Sequence, residues 1–374
     1  MRRLTLGFLL LLLLLIGLAA FFAEQWEFFA PGPLARAGRV TIVWIKPGER
    51  SAQIAQQLQR AGVVRNAALF RVGVQLRGKN AALKAGEYAI PSEASMADVM
   101  GILIGAKSIA HKLTAAEGLT SAMIFNIVQR DPVLVGNAGT MPPEGSLLPE
   151  TYLFIRGTTR QQMLSRMARA QQRVISSLWV KRESDLPFTT PEQAVTLASI
   201  VEKETAIPEE RRHIAAVFLN RLRLGMKLQS DPTIIYGLTK GYPLGRGIRE
   251  SEIAAPTPYN TYVIVGLPPT PICNPGKDSL AAVLQPQESA DLYFVANGSG
   301  GHVFTSSIAE HEKNVARWRQ VEKNVQQKSA PDIQSLATIT PEESAPATFP
   351  QPKSRATRRA APKPHLRHSH RHRH

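Results

Sequence analysis

Thr190-Pro191-Glu192-Gln193-Ala194-Val195-Thr196-Leu197-Ala198-Ser199-Ile200-Val201-Glu202-Lys203-Glu204-Thr205 decides how the larger half of this chain is read. Thr190 and Gln193 form a capping box, and Pro191 takes the first helical position, where its missing N–H is no loss. The spacing predicts a helix that begins at Pro191. At about 100 degrees per residue, Ala194, Leu197, Ala198 and Val201 centre an apolar stripe. Glu202 and Glu204 fall on opposite rims of the stripe, and Lys203 faces away. Carboxylates beside a packing face need a partner or a task, because an unpaired buried charge is costly. A carboxylic acid whose pKa is raised in such a setting is the usual proton donor in glycoside cleavage. Residues two apart on a helix do not face each other, so these two glutamates cannot serve as acid and nucleophile across one bond. One can be the acid while the other makes a structural contact. Periodicity does not choose between them, and pairing of both with nearby arginines is equally open.

Working outward, Glu144-Gly145-Ser146-Leu147-Leu148-Pro149-Glu150-Thr151-Tyr152 is a turn-rich segment leading into a strand, Tyr152 to Ile155. An amphipathic helix follows from Arg160 to Val180. Beyond Thr205, Pro208 starts a second helix with Glu209 and Glu210 in its first turn; Gly225 stops it, and Ile214, Val217, Phe218 and Leu222 point inward. Towards the N-terminus, Val40 to Ile45 reads as a strand and Pro47-Gly48 as a turn. Ser51 caps a helix that Gly62 ends, Asn66 caps another, Gly86 to Ile90 is a strand, and Ser95 caps a helix up to Gly105. The order strand, helix, helix, strand, with Lys46-Pro47-Gly48-Glu49 after the first strand, resembles a LysM-type carbohydrate-binding module. A small packing domain without a ligand fits the same pattern.

The 374 residues suffice for two modest domains. Met1-Arg2-Arg3 precedes about twenty apolar or small residues, Leu4 to Ala23, enough to cross a hydrocarbon core of about 30 Å as a helix. The arginines place the N-terminus in the cytoplasm and the rest outside it. A signal peptide is the competing reading, but Phe21 is bulky for the minus-three position of a cleavage after Ala23, and the run is long for a signal core. The expected layout is therefore a transmembrane anchor (1–25), a linker (26–39), a LysM-like βααβ subdomain (40–108), a larger mixed α/β domain (109–327) and a tail (328–374). The fold class is α+β. Cys273 is the only cysteine, so no disulfide forms within the chain. Half of the net charge of +16 sits in Gln351–His374, which has two lysines, six arginines and no acid. The tail reads as a disordered basic segment drawn to anionic lipid or wall polymer, with its histidines the weaker case for a metal. No nucleic-acid module is expected.

Ala198–Thr205, Asn220-Arg221-Leu222, Leu228 to Gly237, Tyr259-Asn260-Thr261-Tyr262, Gly266-Leu267-Pro268-Pro269, Asn274-Pro275-Gly276 and Tyr293-Phe294-Val295-Ala296 occur in one order. Together they resemble the YceG-like endolytic murein transglycosylases, the MltG family. The resemblance implies a bacterial inner-membrane lyase with its catalytic domain outside the cytoplasm. It would cleave the MurNAc–GlcNAc bond inside peptidoglycan strands without water and without a cofactor or metal, leaving 1,6-anhydromuramyl ends. Such an enzyme would terminate or trim nascent strands, with peptidoglycan synthases as partners. The resemblance also implies Glu202 as the single acid and then base. Substrate contacts are expected from Gln229, Asp231, Tyr236, Asn260, Thr261, Tyr262 and Asn274, which are polar or aromatic residues in turn-rich segments. Glu144, Glu150 and Glu204 are expected as support. The alternative is a catalytically inactive, membrane-anchored scaffold that binds peptidoglycan.

Other chemistries fit poorly. His311-Glu312-Lys313-Asn314-Val315 has Val315 where a zinc-protease helix needs its second histidine. No Gly-x-Ser-x-Gly elbow and no Ser-x-x-Lys dyad occur. Gly298-Ser299-Gly300-Gly301 lacks the Lys and Ser/Thr of a phosphate loop and reads as a hairpin turn before a strand, His302 to Thr305.

Overall fold

The structure, a computed structural model, describes residues 2–36 and 38–329, so the expected tail lies, from residue 330 on, outside the described residues. A single helix, α1 (Arg2–Phe29), opens the chain, and its stretch Gly7–Phe29 has a mean hydropathy of 2.5. α1 runs through positions 26–29, where a linker was expected. Phe28 is 1% exposed within the first core, and Glu24 pairs with Arg77 at 3.0 Å, so the last turns of α1 are fixed by burial.

That first core belongs to β1 (Val40–Ile45), α2 (Ser51–Arg60), α3 (Ala67–Leu76), β2 (Gly86–Pro91) and α4 (Met96–Gly105). β1 and β2 pair antiparallel, with Val40 opposite Pro91 and Ile45 opposite Gly86. Val43, Ile45, Leu58, Phe70, Tyr88, Ile90 and Leu103 fill the space between sheet and helices. Asn66 caps α3 by accepting from the N–H groups of Ala68 and Leu69, and Ser95 and Asp98 form a reciprocal box at α4. Ser51 is not the cap of α2: Arg50 holds that position, its N–H donating to Gln53 Oε1 at 2.8 Å, and Ser51 is the first helical residue. Gly73 of α3 lies against α1, where an added Cβ would stand 2.2 Å from the Phe28 ring. Gly73→Ala should therefore destabilise this block by roughly 1–3 kcal/mol, seen as a lower urea midpoint; an unchanged midpoint would mean that α1 does not pack there.

A second core is built by β3 (Ala110–Thr114), α5 (Ser121–Arg130), β4 (Thr151–Ile155) and α6 (Arg160–Trp179). β3 and β4 pair antiparallel, Ala110 opposite Ile155 and Thr114 opposite Thr151, over Leu113, Ile124, Leu147, Phe154 and Met163. Buried Glu87 of β2 ties this block to the first, with His111 Nε2 at 2.6 Å and Arg156 Nε at 2.7 Å.

The third core surrounds α7 (Pro191–Glu204). It adds α8 (Arg211–Arg223), α9 (Asp231–Thr239), the short α10 (Glu250–Ile253), α11 (Lys277–Leu284), the antiparallel hairpin β5 (Tyr293–Ala296) and β6 (His302–Thr305), and α12 (Ile308–Ser329). α7 begins as its capping box dictates, with Thr190 Oγ1 accepting from Gln193 N–H. It is more than amphipathic: Ala194 through Val201 are all buried, because α6, α8, α9 and α11 pack around it. A helix apolar over most of its surface is a central helix. Pro208–Glu210 forms a 3₁₀ turn, and the α-helix starts only at Arg211. Asp231 and Tyr236 are helical, in a segment expected to be turn-rich, since Asp231-Pro232 sits in the first turn of α9 and favours a helix start. The described chain is thus α+β, with antiparallel strand pairs set among helices.

Candidate active site

The C-terminal turn of α7 sends its two carboxyls to different neighbourhoods. The Glu202 side chain is 5% exposed; its Oε2 accepts from Gly276 N–H at 2.9 Å, and its Oε1 lies 4.0 Å from Arg211 Nη2. The same guanidinium is 3.6 Å from Glu117 and 3.9 Å from Asp278, and its Nε is buried without a partner. Burial, and then the charge of Glu202, raise the Glu117 carboxyl above its ordinary value, while Arg211 opposes them. Glu202 therefore belongs to a set of three carboxylates around one cation, of which Glu117 and Asp278 are exposed, and it pins the loop that enters α11. That loop also lies along α7: Ile272 N–H donates to Ser199 Oγ at 2.9 Å.

Glu204 faces the other way. Ser230 Oγ donates to its Oε1, and the residue is half-buried between exposed Lys203 and the segment that enters α9. Burial pushes the Glu204 carboxyl up to about 7; Asp231 adds to the rise, while the Ser230 bond and Arg221 oppose it. Ser230 is itself held, its N–H donating to Thr261 Oγ1 at 2.9 Å. On either side of it, Gln229 and Asp231 are exposed. Gln229 has φ +53°, a left-handed backbone that non-glycine residues rarely hold and that tends to collect at functional sites. Asp231 accepts from Tyr262 O–H at 2.7 Å. Beneath them, buried Arg221 donates to Leu292 O (2.7 Å), Leu228 O (2.8 Å) and Gln229 Oε1 (3.2 Å), which sets the course of the whole turn. Glu204, Gln229, Asp231 and Tyr262 thus gather around buried Ser230, over Arg221.

Other expected site residues do not reach the exposed side of this cluster. Asn260, Thr261 and Asn274 were expected to contact substrate, but they are buried at 1%, 0% and 0% exposure, with their polar atoms engaged by protein. Asn260 donates to three carbonyls, those of Glu252, Ile253 and Ala255; Thr261 joins Ser230 and Thr233; Asn274 accepts from Leu147 N–H and donates to Leu119 O. Having no free valence towards solvent, they act as framework. Tyr236 is also buried and donates to Glu144 Oε2 at 3.1 Å, while Glu144 Oε1 takes the Ser121 N–H at 2.6 Å. Burial raises the Glu144 carboxyl. Glu144 lines a cavity of about 340 Å³ with Gly145, Gln171, Glu192, Val195 and Pro271, and neither Glu202 nor Glu204 borders that space. Glu150 is exposed at the start of β4, where its carbonyl accepts from Ala115 N–H; it supports neither glutamate. Cys273 is a buried free thiol that burial pushes well up, which makes it inert.

Five residues of these clusters, Asp278 at the start of α11 among them, are not singled out by the sequence. Ser230 and Arg221 stand inside the segments Leu228–Gly237 and Asn220–Leu222, so their neighbourhood was marked although their roles were not. Arg211 and Glu117 carried no signal beyond the glycine after Glu117, and tertiary folding alone brings them to Glu202.

The chain is similar to known proteins over most of its length. The endolytic murein transglycosylase of Streptococcus pneumoniae (strain D39 / NCTC 7466) is 28% identical over 356 residues, covering 82% of this chain and 64% of that protein. The protein of the same description in Bacillus subtilis (strain 168) is 27% identical over 314 residues, covering 75% of this chain and 86% of its own length. This chain therefore spans somewhat less than two thirds of the streptococcal relative. A crystal structure of a putative yceG-like protein from Listeria monocytogenes aligns over 74% of this chain and 99% of that chain, at 28% identity and a TM-score of 0.47. The pattern of the YceG-like family matches residues 43–317, which takes in Glu202, Glu204 and all of their neighbours described above; the chain belongs to the YceG-like family.

Proposed function

We propose that this protein is an endolytic lytic transglycosylase that cleaves the MurNAc–GlcNAc bond within peptidoglycan strands without water. The observation that carries the reading is Glu204, a carboxyl pushed to about 7 and aimed by Ser230 beside the exposed Gln229 and Asp231. The relatives named as endolytic murein transglycosylases support the substrate class. Cleavage without water needs one group used twice. Protonated, it delivers its proton to the leaving oxygen of N-acetylglucosamine; ionised, it takes the proton of the muramyl C6 hydroxyl, whose oxygen closes the 1,6-anhydro ring. A carboxyl near neutrality serves both steps, since proton transfer is most effective when the pKa lies close to the working pH. The substrate's acetamido group can carry developing positive charge at C1, so no carboxylate nucleophile is needed.

On this reading the proton belongs to Glu204, in place of Glu202, which the family resemblance pointed to. Glu202 is nearly sealed and engaged with Gly276 and Arg211, which suits a residue that holds the α11 loop. Gln229, Asp231 and Tyr262 supply hydrogen bonds and a ring face to the sugars, and Arg221 keeps their turn in place. α1 anchors the enzyme in the membrane, with Arg2 and Arg3 on the cytoplasmic side and the remainder facing the wall, where it would trim or terminate strands beside the synthases that make them. The β1–α2–α3–β2 unit, whose element order is LysM-like, is read as an accessory contact for glycan.

Purified sacculi incubated with the full chain test the activity. Mass analysis should find 1,6-anhydromuramyl ends. Reducing ends would indicate a muramidase, and binding without new ends would indicate a scaffold; either outcome overturns the proposal.

A further inference from the structure

The end of α3 points back towards the membrane. Phe70 stacks on Phe28 at 6.5 Å between ring centroids; Gly73, one turn on, meets both Phe28 and Glu24; Arg77, one turn further, donates to Glu24 Oε1 at 3.0 Å and Gln25 Oε1 at 2.7 Å. Successive turns of α3 therefore meet successively earlier turns of α1. The Arg77 guanidinium also covers the Phe28 ring at 3.8 Å, which locks the two helices together. Glu24 and Gln25 directly follow the apolar run that ends at Ala23. The turn that ends α3 thus stands level with the edge of the hydrocarbon layer that α1 enters. There the chain exposes a large apolar side chain, Leu76 (60%), followed by exposed Lys79, while α1 exposes Phe22 (62%) and Trp26 (80%) at the same level. Apolar and aromatic side chains with a basic residue beside them suit the headgroup layer, where lysine reaches lipid phosphate. In water the same exposure would be a liability.

We propose that the α3 terminus, Leu76 to Lys79, docks on the lipid headgroup layer, with Leu76 immersed at the interface and Lys79 on phosphate. The continuous α1, in which buried Phe28 leaves no hinge at residues 24–29, then holds the first block at a fixed height and tilt over the bilayer. The inference rests on the reading of α1 as a membrane anchor.

Full-length protein in phosphatidylethanolamine/phosphatidylglycerol vesicles containing brominated lipid tests it. Cys273 is buried, so a fluorophore attached at an introduced cysteine reports only its own site. Labels would be placed at Leu76→Cys, at Leu12→Cys within the span, and at exposed Leu224→Cys beyond α8. Position 12 should be quenched most by lipid brominated deep in the chains, position 76 by lipid brominated near the glycerol, and position 224 by neither. Quenching at 12 with position 76 as unquenched as 224 would overturn the docking alone. No quenching at 12 would overturn the anchor and the docking with it. Neither result depends on catalysis, so failure of the proposed chemistry is read separately, from the sacculus products. Lys79→Glu should weaken quenching at position 76 in vesicles rich in phosphatidylglycerol and leave position 12 unchanged; an undiminished signal would remove Lys79 from the contact.

Discussion

Glu204→Gln should lower kcat/KM on glycan strands by roughly 10²–10⁴-fold, the usual contribution of a positioned acid or base. The amide keeps the shape and can still accept from Ser230 Oγ, so the fold should survive. Glu202→Gln should cost far less rate, within about tenfold, and act mainly through the Gly276 loop and Arg211. The parent's rate should fall as pH rises through about 7, because Glu204 then loses the proton that it must donate, while the residual rate of the Gln variant should lack that limb. Stability moves in a linked way. The folded value of about 7 stands above the ordinary 4.5, so the stabilising effect of the protonated group is complete below about 4.5 and is lost as pH rises through about 7. At about 1.4 kcal/mol per pH unit over a rise of about 2.5 units, Glu204→Gln should exceed the parent in stability at pH 8 by on the order of 3 kcal/mol, and should gain nothing at pH 4. Steady-state kinetics on purified strands and urea melts at the two pH values check both arms. Parent-like activity in Glu204→Gln, with loss in Glu202→Gln, would return the acid to Glu202.

Arg221→Met is the second large effect. The guanidinium is 6% exposed and serves the carbonyls of Leu228 and Leu292 and the Gln229 side chain, so its removal leaves buried acceptors without donors. Each such group costs about 1–3 kcal/mol, and the loss should total about 3–5 kcal/mol in chemical denaturation. Arg221→Lys keeps the charge but not the fork of donors, and should recover only part of it. Because the same arginine sets the strained turn at Gln229, any folded fraction of the methionine variant should show a raised KM. A stability change below about 1 kcal/mol would mean that water replaces these donors without penalty.

Much of the fold was legible because local rules and tertiary packing agree. The Thr190–Gln193 box, Asn66 before α3, Ser95 before α4 and the largely β-branched run Val40–Ile45 ahead of the Pro47-Gly48 turn are each set by a few neighbouring residues, and each element stands where those residues place it. Where two local signals competed, the reading slipped. Asp231-Pro232 serves as a turn or as a helix start, and packing of α9 on α7 selected the helix. The site was less legible still. Polar residues in ordered motifs look alike whether they face a sugar or satisfy a buried carbonyl, and Asn260, Thr261 and Asn274 do the latter.

The sequence by itself determined that a long apolar helix leads into an α+β protein of the YceG-like family, and that Glu202 and Glu204 lie on opposite sides of one helix, because helical period and capping chemistry act over a few residues. Only the tertiary structure decided what each carboxyl meets. Segments distant in the chain bring Gly276, Arg211 and Glu117 to one glutamate, and Ser230, Asp231 and Arg221 to the other. Desolvation, which pushes Glu204 up to about 7, is a property of those assembled surroundings and not of the residues on its own helix.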